Sequence, residues 1–182
     1  FFFSSRRRHT RFRNVTGSSD VCSSDLTNIS GGSDGNWWTD SSFTTQATTL
    51  PTSSDDVVLS AGIYSNSGSE PTVANLTTTS YGIDITLTVT GVATFNSSVL
   101  MSAFITGNCV FNGSSYVGPV SIINGDCTFN GTATTDASIT GDCVFNDSSS
   151  NRGGSIIGVV TFNNNSYNNF SSYYFYGSVY SD

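Results

Sequence analysis

Apolar residues in the second half of the chain recur at a near-fixed interval, and within each recurrence they alternate with polar ones. Five segments align: VTGVATFN (residues 89–96), ITGNCVFN (105–112), INGDCTFN (123–130), ITGDCVFN (139–146) and IIGVVTFN (156–163). Their glycines stand at 91, 107, 125, 141 and 158, which gives steps of 16, 18, 16 and 17 residues. That interval is too short for a pair of helices, and no segment carries an apolar period of 3.6. The period is two. One face holds Val89, Ile105, Ile123, Ile139 or Ile156, then glycine, then Ala93, Cys109, Cys127, Cys143 or Val160, then Phe95, Phe111, Phe129, Phe145 or Phe162. The other face is mostly Thr, Asn and Asp. Such alternation describes a strand with one buried side.

One strand of this kind cannot bury its apolar face alone. Stacking the repeats lets each strand pair with its equivalent, so that like residues form ladders. The expected fold is all-β: a parallel β-solenoid (β-helix) with rungs of 16–18 residues and an N-terminal capping segment. Phe95, Phe111, Phe129, Phe145 and Phe162 should stack at the strand spacing of about 4.8 Å. Ala, Cys or Val two residues earlier must fit a narrow interior. Asn96, Asn112, Asn130, Asn146 and Asn163 follow the phenylalanines and mark a corner. Asn tolerates left-handed backbone and its carboxamides can hydrogen-bond along the stack. The remainder of each rung (97–101, 114–120, 132–137, 148–154) is less regular and is expected to form turns and a shorter second strand.

Residues 1–26 break the pattern. They hold five of the six arginines (Arg6, Arg7, Arg8, Arg11 and Arg13), the single histidine, His9, and Cys22. Residues 3–26, FSSRRRHTRFRNVTGSSDVCSSDL, resemble the conceptual translation of an indexing primer used in short-read DNA library preparation. Residues 5–11 read as one stretch of that oligonucleotide, 12–14 fall where the variable index would be, and 18–26 read as its 3′ end. A slip of frame at Val15, Thr16 and Gly17 joins the parts. The resemblance implies an artefactual leader outside the fold, poorly packed against Thr27 onward. The competing reading is a basic nucleic-acid arm. On the primer reading the natural N-terminus is missing, and the tyrosine-rich end, 173–182, is expected to be cut short too.

Setting the leader aside changes the charge argument. From Thr27 onward there is no lysine and one base, Arg152, against 11 of the 13 acidic residues, a formal charge of −10. Nucleic acid is an unexpected partner, because phosphate binding needs clustered Lys and Arg. Anionic membrane surfaces are disfavoured for the same reason, and no membrane insertion is expected of this fragment.

Residues 27–82 differ from the repeats. They contain GNWWTD (35–40) and LPTSSDDVVLSAG (50–62), and residues 71–91 lead into the first clear rung. A Gly-x-Trp opening, a Pro, acid-acid-Val-Val and a first rung resemble the start of secreted bacterial β-helix proteins: adhesins, autotransporter-like passengers and other surface proteins. The following GNCVFNGSS and GDCVFNDSS rungs are similar to uncharacterised repeat proteins of uncultivated bacteria. The resemblance covers residues 31–167. It implies an extracellular or cell-surface location, with 27–82 as cap and first rungs and 83–182 as solenoid repeats. It implies no particular activity. Trp37 and Trp38 read as cap or first-rung core, or else as a ligand-stacking pair.

Candidate chemistry is sparse. With His9 gone, Ser–His–Asp, Cys–His and His-bearing zinc sites are excluded. Cys109, Cys127 and Cys143 occupy one inward position on three rungs, read as a buried thiol ladder, an inter-rung disulfide or, least favoured, a thiolate metal site lacking a fourth ligand. Asn108, Asp126 and Asp142 stack outward, as a solvated acidic ladder, a Ca²⁺ site or the acid pair of a polysaccharide lyase or glycosidase. Thr90, Thr106 and Thr140, with Thr94, Thr128 and Thr161, form columns that suggest ice-binding solenoids, but Asn124, Ile157, Val110 and Val144 interrupt them. Asn96, Asn112, Asn130, Asn146 and Asn164 sit in Asn-x-Ser/Thr sequons, glycosylation acceptors in a secreted protein or simply turn residues. The reading favoured overall is a non-enzymatic, structural or adhesin-like rod without cofactor, whose partners are glycans or its own ends. A carbohydrate-binding or carbohydrate-cleaving β-helix is the alternative, and an ice-binding solenoid a third.

Overall fold

Val, Ile, Thr and Phe fill the alternating positions, and their shapes suit a pleated, half-buried surface. The computed structural model describes residues 20–24, 37–38, 51–60, 64–65, 72–78, 81–169 and 178–181. Among them there is no helix. The chain is all-β, and its parallel strands stack as a β-solenoid of about six turns.

Each of the central rungs carries three strand segments. The first is Ile122–Asn124, Ser138–Thr140 or Ile156–Ile157; the second is Cys127–Phe129, Cys143–Phe145 or Val160–Phe162; the third is Tyr116–Val117, Thr134–Thr135 or Ser150–Asn151. In the two rungs before them the segments merge into long strands, Tyr81–Asn96 and Val99–Asn112. Parallel pairing also runs upstream, from Asn75–Thr78 to Asp56–Ser60 and from there to Asp20–Ser24.

Register turns these pairings into columns. Ile105, Ile123, Ile139 and Ile156 stand over one another, and all are at most 1 % exposed. Below Ile105 the partner is Leu87 and not Val89. The spacing of the repeats suggested Val89. The structure instead shifts register between Thr88 and Val92, and Val89 pairs back to Val73. Both Leu87 and Val89 are buried, and the additional residues form a bulge in which Val89 faces inward while Thr90 and Gly91 are exposed.

The second column is aromatic. Successive rings of Phe95, Phe111, Phe129, Phe145 and Phe162 lie 4.9, 4.8, 4.6 and 5.0 Å apart, within 16° of parallel. The strand spacing fixes that separation. The first four rings have no exposed surface.

At the corner after each phenylalanine the left-handed residue is the one following the ladder asparagine. Ser97, Gly113, Gly131, Asp147 and Asn164 have φ between 51° and 72°. The ladder asparagine itself is not left-handed, and its carboxamide points along the stack. Nδ2 of Asn112, Asn130, Asn146 and Asn163 donates to Oδ1 of the asparagine one rung earlier, at 3.0, 2.9, 2.9 and 2.9 Å. Just past the corner, buried serines tie rungs together. Ser115 Oγ donates to the carbonyls of Phe95 and Asn112, and Ser149 Oγ to those of Phe129 and Asn146.

The bend between the isoleucine and cysteine positions is set by glycine. A Cβ on Gly125 would land on the carbonyl oxygen of Gly107, and one on Gly141 on that of Gly125. Main chain packs on main chain there, and no other residue leaves the room.

From Phe111 onward, variation in rung length is confined to the return bend. The inward residues Leu100, Val117, Thr135 and Asn151 share one column. The steps from these to Ile105, Ile123, Ile139 and Ile156 are five, six, four and five residues. The longest bend carries the exposed Val120, beside the exposed Met101 and Ile122. In the last of these rungs Asn151 is buried, and its carboxamide closes its own bend on the N–H and carbonyl of Gly154.

Of residues 1–26, which the sequence sets apart from the fold, the structure describes only Asp20–Ser24, and these do not stand apart. There the main chain pairs with Asp56–Ser60 in parallel and with Trp37–Trp38 in antiparallel fashion. An open strand edge accepts an extended segment through its backbone groups. The rest of the leader lies outside the described residues.

The ring stack yields a quantitative expectation. Phe129 packs between two rings, so Phe129→Ala should cost about 3–5 kcal/mol. Phe162, a terminal ring of the stack, is 7 % exposed, and Phe162→Ala should cost visibly less. Urea unfolding of both variants checks the order.

Candidate functional site

The outward column beside the glycine bend carries the carboxylates. Asp126 and Asp142 are exposed and stand one rung apart, next to Asn108. They are not free groups. Asn108 Oδ1 accepts the backbone N–H of Asp126 at 3.0 Å, Asp126 Oδ1 that of Asp142 at 2.9 Å, and Asp142 Oδ1 that of Val159 at 2.8 Å. Upstream, Asn75 Oδ1 accepts from Val92 N–H and Asn75 Nδ2 donates to Asp56. The cause is local. Glycine turns the strand at this point and takes the next N–H out of the regular ladder. A short side chain with an oxygen one rung earlier supplies the missing acceptor. Asp and Asn serve equally, which explains why both occur in the column.

This arrangement orients one oxygen of each acid toward main chain. Among the described residues no three His, Cys, Asp or Glu side chains converge to hold an ion. The Thr positions are also placed. Thr88, not Thr90, pairs with Thr106, and Thr90 Oγ1 turns back to donate to the carbonyl of Val73. On the next outward column Thr77, Thr94, Val110, Thr128, Val144 and Thr161 are in register and half-buried.

The inward thiols form one line. Cys127 pairs with Cys109 on one side and Cys143 on the other. All three are free of disulfides and buried. The flanking Cys109 and Cys143 thiols, then burial, hold the Cys127 thiol well above its ordinary range. The carboxamides of the sequon residues Asn112, Asn130 and Asn146 are each engaged on both sides within the asparagine ladder. Asn164, outside the ladder, is exposed. Trp37 and Trp38 pair through their backbones with Asp20–Ser24, and their side chains lie outside what is described.

One cluster was not legible as such in the sequence. Tyr116 Oη donates to Asp136 Oδ2 at 2.7 Å, and the guanidinium of Arg152 lies 5.8 Å from the centre of the same ring. The bond to Asp136, then burial, raises the tyrosine's pKa. The three residues come from successive rungs, so the signal was the rung spacing itself. Read residue by residue, Arg152 stands alone in a loop.

No protein-family model matches the chain, and neither a curated protein nor a solved structure matches it. Among the described residues no helix is long and apolar enough to cross a membrane.

Two expectations follow. Asp142→Ala removes the acceptor for the exposed Val159 N–H and should cost about 1 kcal/mol, whereas Asp142→Asn keeps that acceptor and should stay within about 0.5 kcal/mol of the parent; thermal or urea unfolding separates them. For the Cys127 thiol, a raised folded pKa means that the unfolded chain loses the proton first. The stabilisation is thus complete below the unfolded value near pH 8.5 and is lost as pH rises through the folded one. The urea midpoint should fall above about pH 8.5, and Cys127→Ala should flatten that fall.

Proposed function

We propose that this chain is a non-enzymatic, adhesin-like structural rod, secreted or displayed on a bacterial surface. The observation that carries this reading is where the reactive side chains go. The asparagines, the outward acids, the buried serines and the thiols of the repeats each contact the neighbouring rung. Side chains committed to axial contacts strengthen a stack rather than present a grafted site. The partners that fit are extracellular glycans or the ends of further copies. The primer-like residues 3–26 complete the reading as non-native sequence, and resequencing of the source DNA should return different codons upstream of Thr27.

Single-molecule extension tests the rod. A stack of nearest-neighbour rungs should yield in steps, each releasing 16–18 residues, or about 60 Å of extended chain. Release of reducing ends from a polysaccharide panel, abolished by Asp126→Asn with Asp142→Asn, would instead establish the carbohydrate-cleaving alternative.

A further inference from the structure

We propose that the column of Cys109, Cys127 and Cys143 is a binding site for one soft, linearly coordinating d10 metal ion, held between the sulfurs of adjacent rungs. Three observations carry it. The three cysteines are directly opposed across parallel strands. Each sulfur faces the carbonyl of the glycine two residues before it, at 3.6, 3.7 and 4.0 Å. The side chains therefore share one orientation, and their sulfurs repeat at the strand spacing of about 4.8 Å. Each cysteine is at most 2 % exposed.

The spacing decides the ion. A zinc–thiolate bond is about 2.3 Å, so for a soft ion of comparable bond length two bonds end to end span about 4.6 Å, close to one strand spacing. A straight S–metal–S unit fits between consecutive rungs without moving either strand. Tetrahedral coordination needs four ligands around one point, and a line of sulfurs does not provide it. Hard ions need several oxygens, while each sulfur here has one glycine carbonyl beside it and is otherwise flanked by the isoleucine and phenylalanine columns. Thiolate ligands select soft ions such as copper(I), and silver(I) belongs to the same class.

Binding is a ligand substitution. One thiol loses its proton to solvent and forms a thiolate–metal bond. The facing sulfur donates a lone pair and keeps its proton. No electron is transferred, and a monovalent ion leaves the buried unit neutral, as a dry interior requires. Cys127 belongs to both neighbouring pairs, so one ion per chain is the expected filling.

The test uses the full chain carrying Cys22→Ser, so that stoichiometry refers to the column. It is refolded with silver(I) nitrate in chloride-free buffer, desalted and measured by native mass spectrometry, ultraviolet absorption and circular dichroism. The expected result is one silver per folded chain with a sulfur-to-metal charge-transfer band. Cys143→Ala should keep the ion, through Cys109 and Cys127. Cys127→Ala should lose it, because the remaining sulfurs stand two strand spacings apart, about 9.6 Å. Ala93 fills the same column position with no exposed surface, so alanine fits there and folding of the variants is readable by circular dichroism. Absence of retained silver in the parent, equal retention by Cys127→Ala, or retention only with loss of the β spectrum overturns the proposal.

Discussion

Everything in this molecule hangs on axial register. Parallel main-chain hydrogen bonds set consecutive rungs about 4.8 Å apart, and that distance suits stacked phenyl rings, paired carboxamides and opposed thiols at once. The ring separations of 4.6–5.0 Å follow from it. So do the four carboxamide bonds of the asparagine ladder, all near 3 Å. A shift of one residue would turn every inward side chain outward. The ladders are both the product of register and the restraint that keeps it.

The rungs were legible because inward and outward positions alternate strictly over eight residues in five copies. Period and spacing were enough for a parallel solenoid. What stayed hidden were contacts made between rungs by polar residues. The outward acids looked available for calcium or sugar chemistry, since a carboxylate pair on adjacent rungs has the same sequence signature in either role. Only the direction of the carboxylate oxygen, toward the N–H of Asp142 or Val159, separates the two. The Tyr116–Asp136–Arg152 group was missed for the converse reason, because its members fall outside the repeated octet.

Two departures have plain physical causes. The Leu87 pairing differs from the repeat alignment because the first clear rung carries a bulge before Gly91, and spacing alone cannot say which of two buried residues faces the next rung. The left-handed corner lies one residue past the asparagine, whose carboxamide is held along the stack by its neighbours. The residue that turns the chain is then free to vary among Ser, Gly, Asp and Asn.

The return bend has a genetic consequence. Rung lengths differ there by one or two residues while the ladder columns stay in line. Any stretch of coding sequence that begins and ends at the same column position can be copied or lost without a new joint being needed. Unequal crossing-over between such near-identical octets changes length by whole rungs and leaves both cut faces complementary. A gene of this kind would lengthen or shorten by whole rungs, with each product keeping its columns in line.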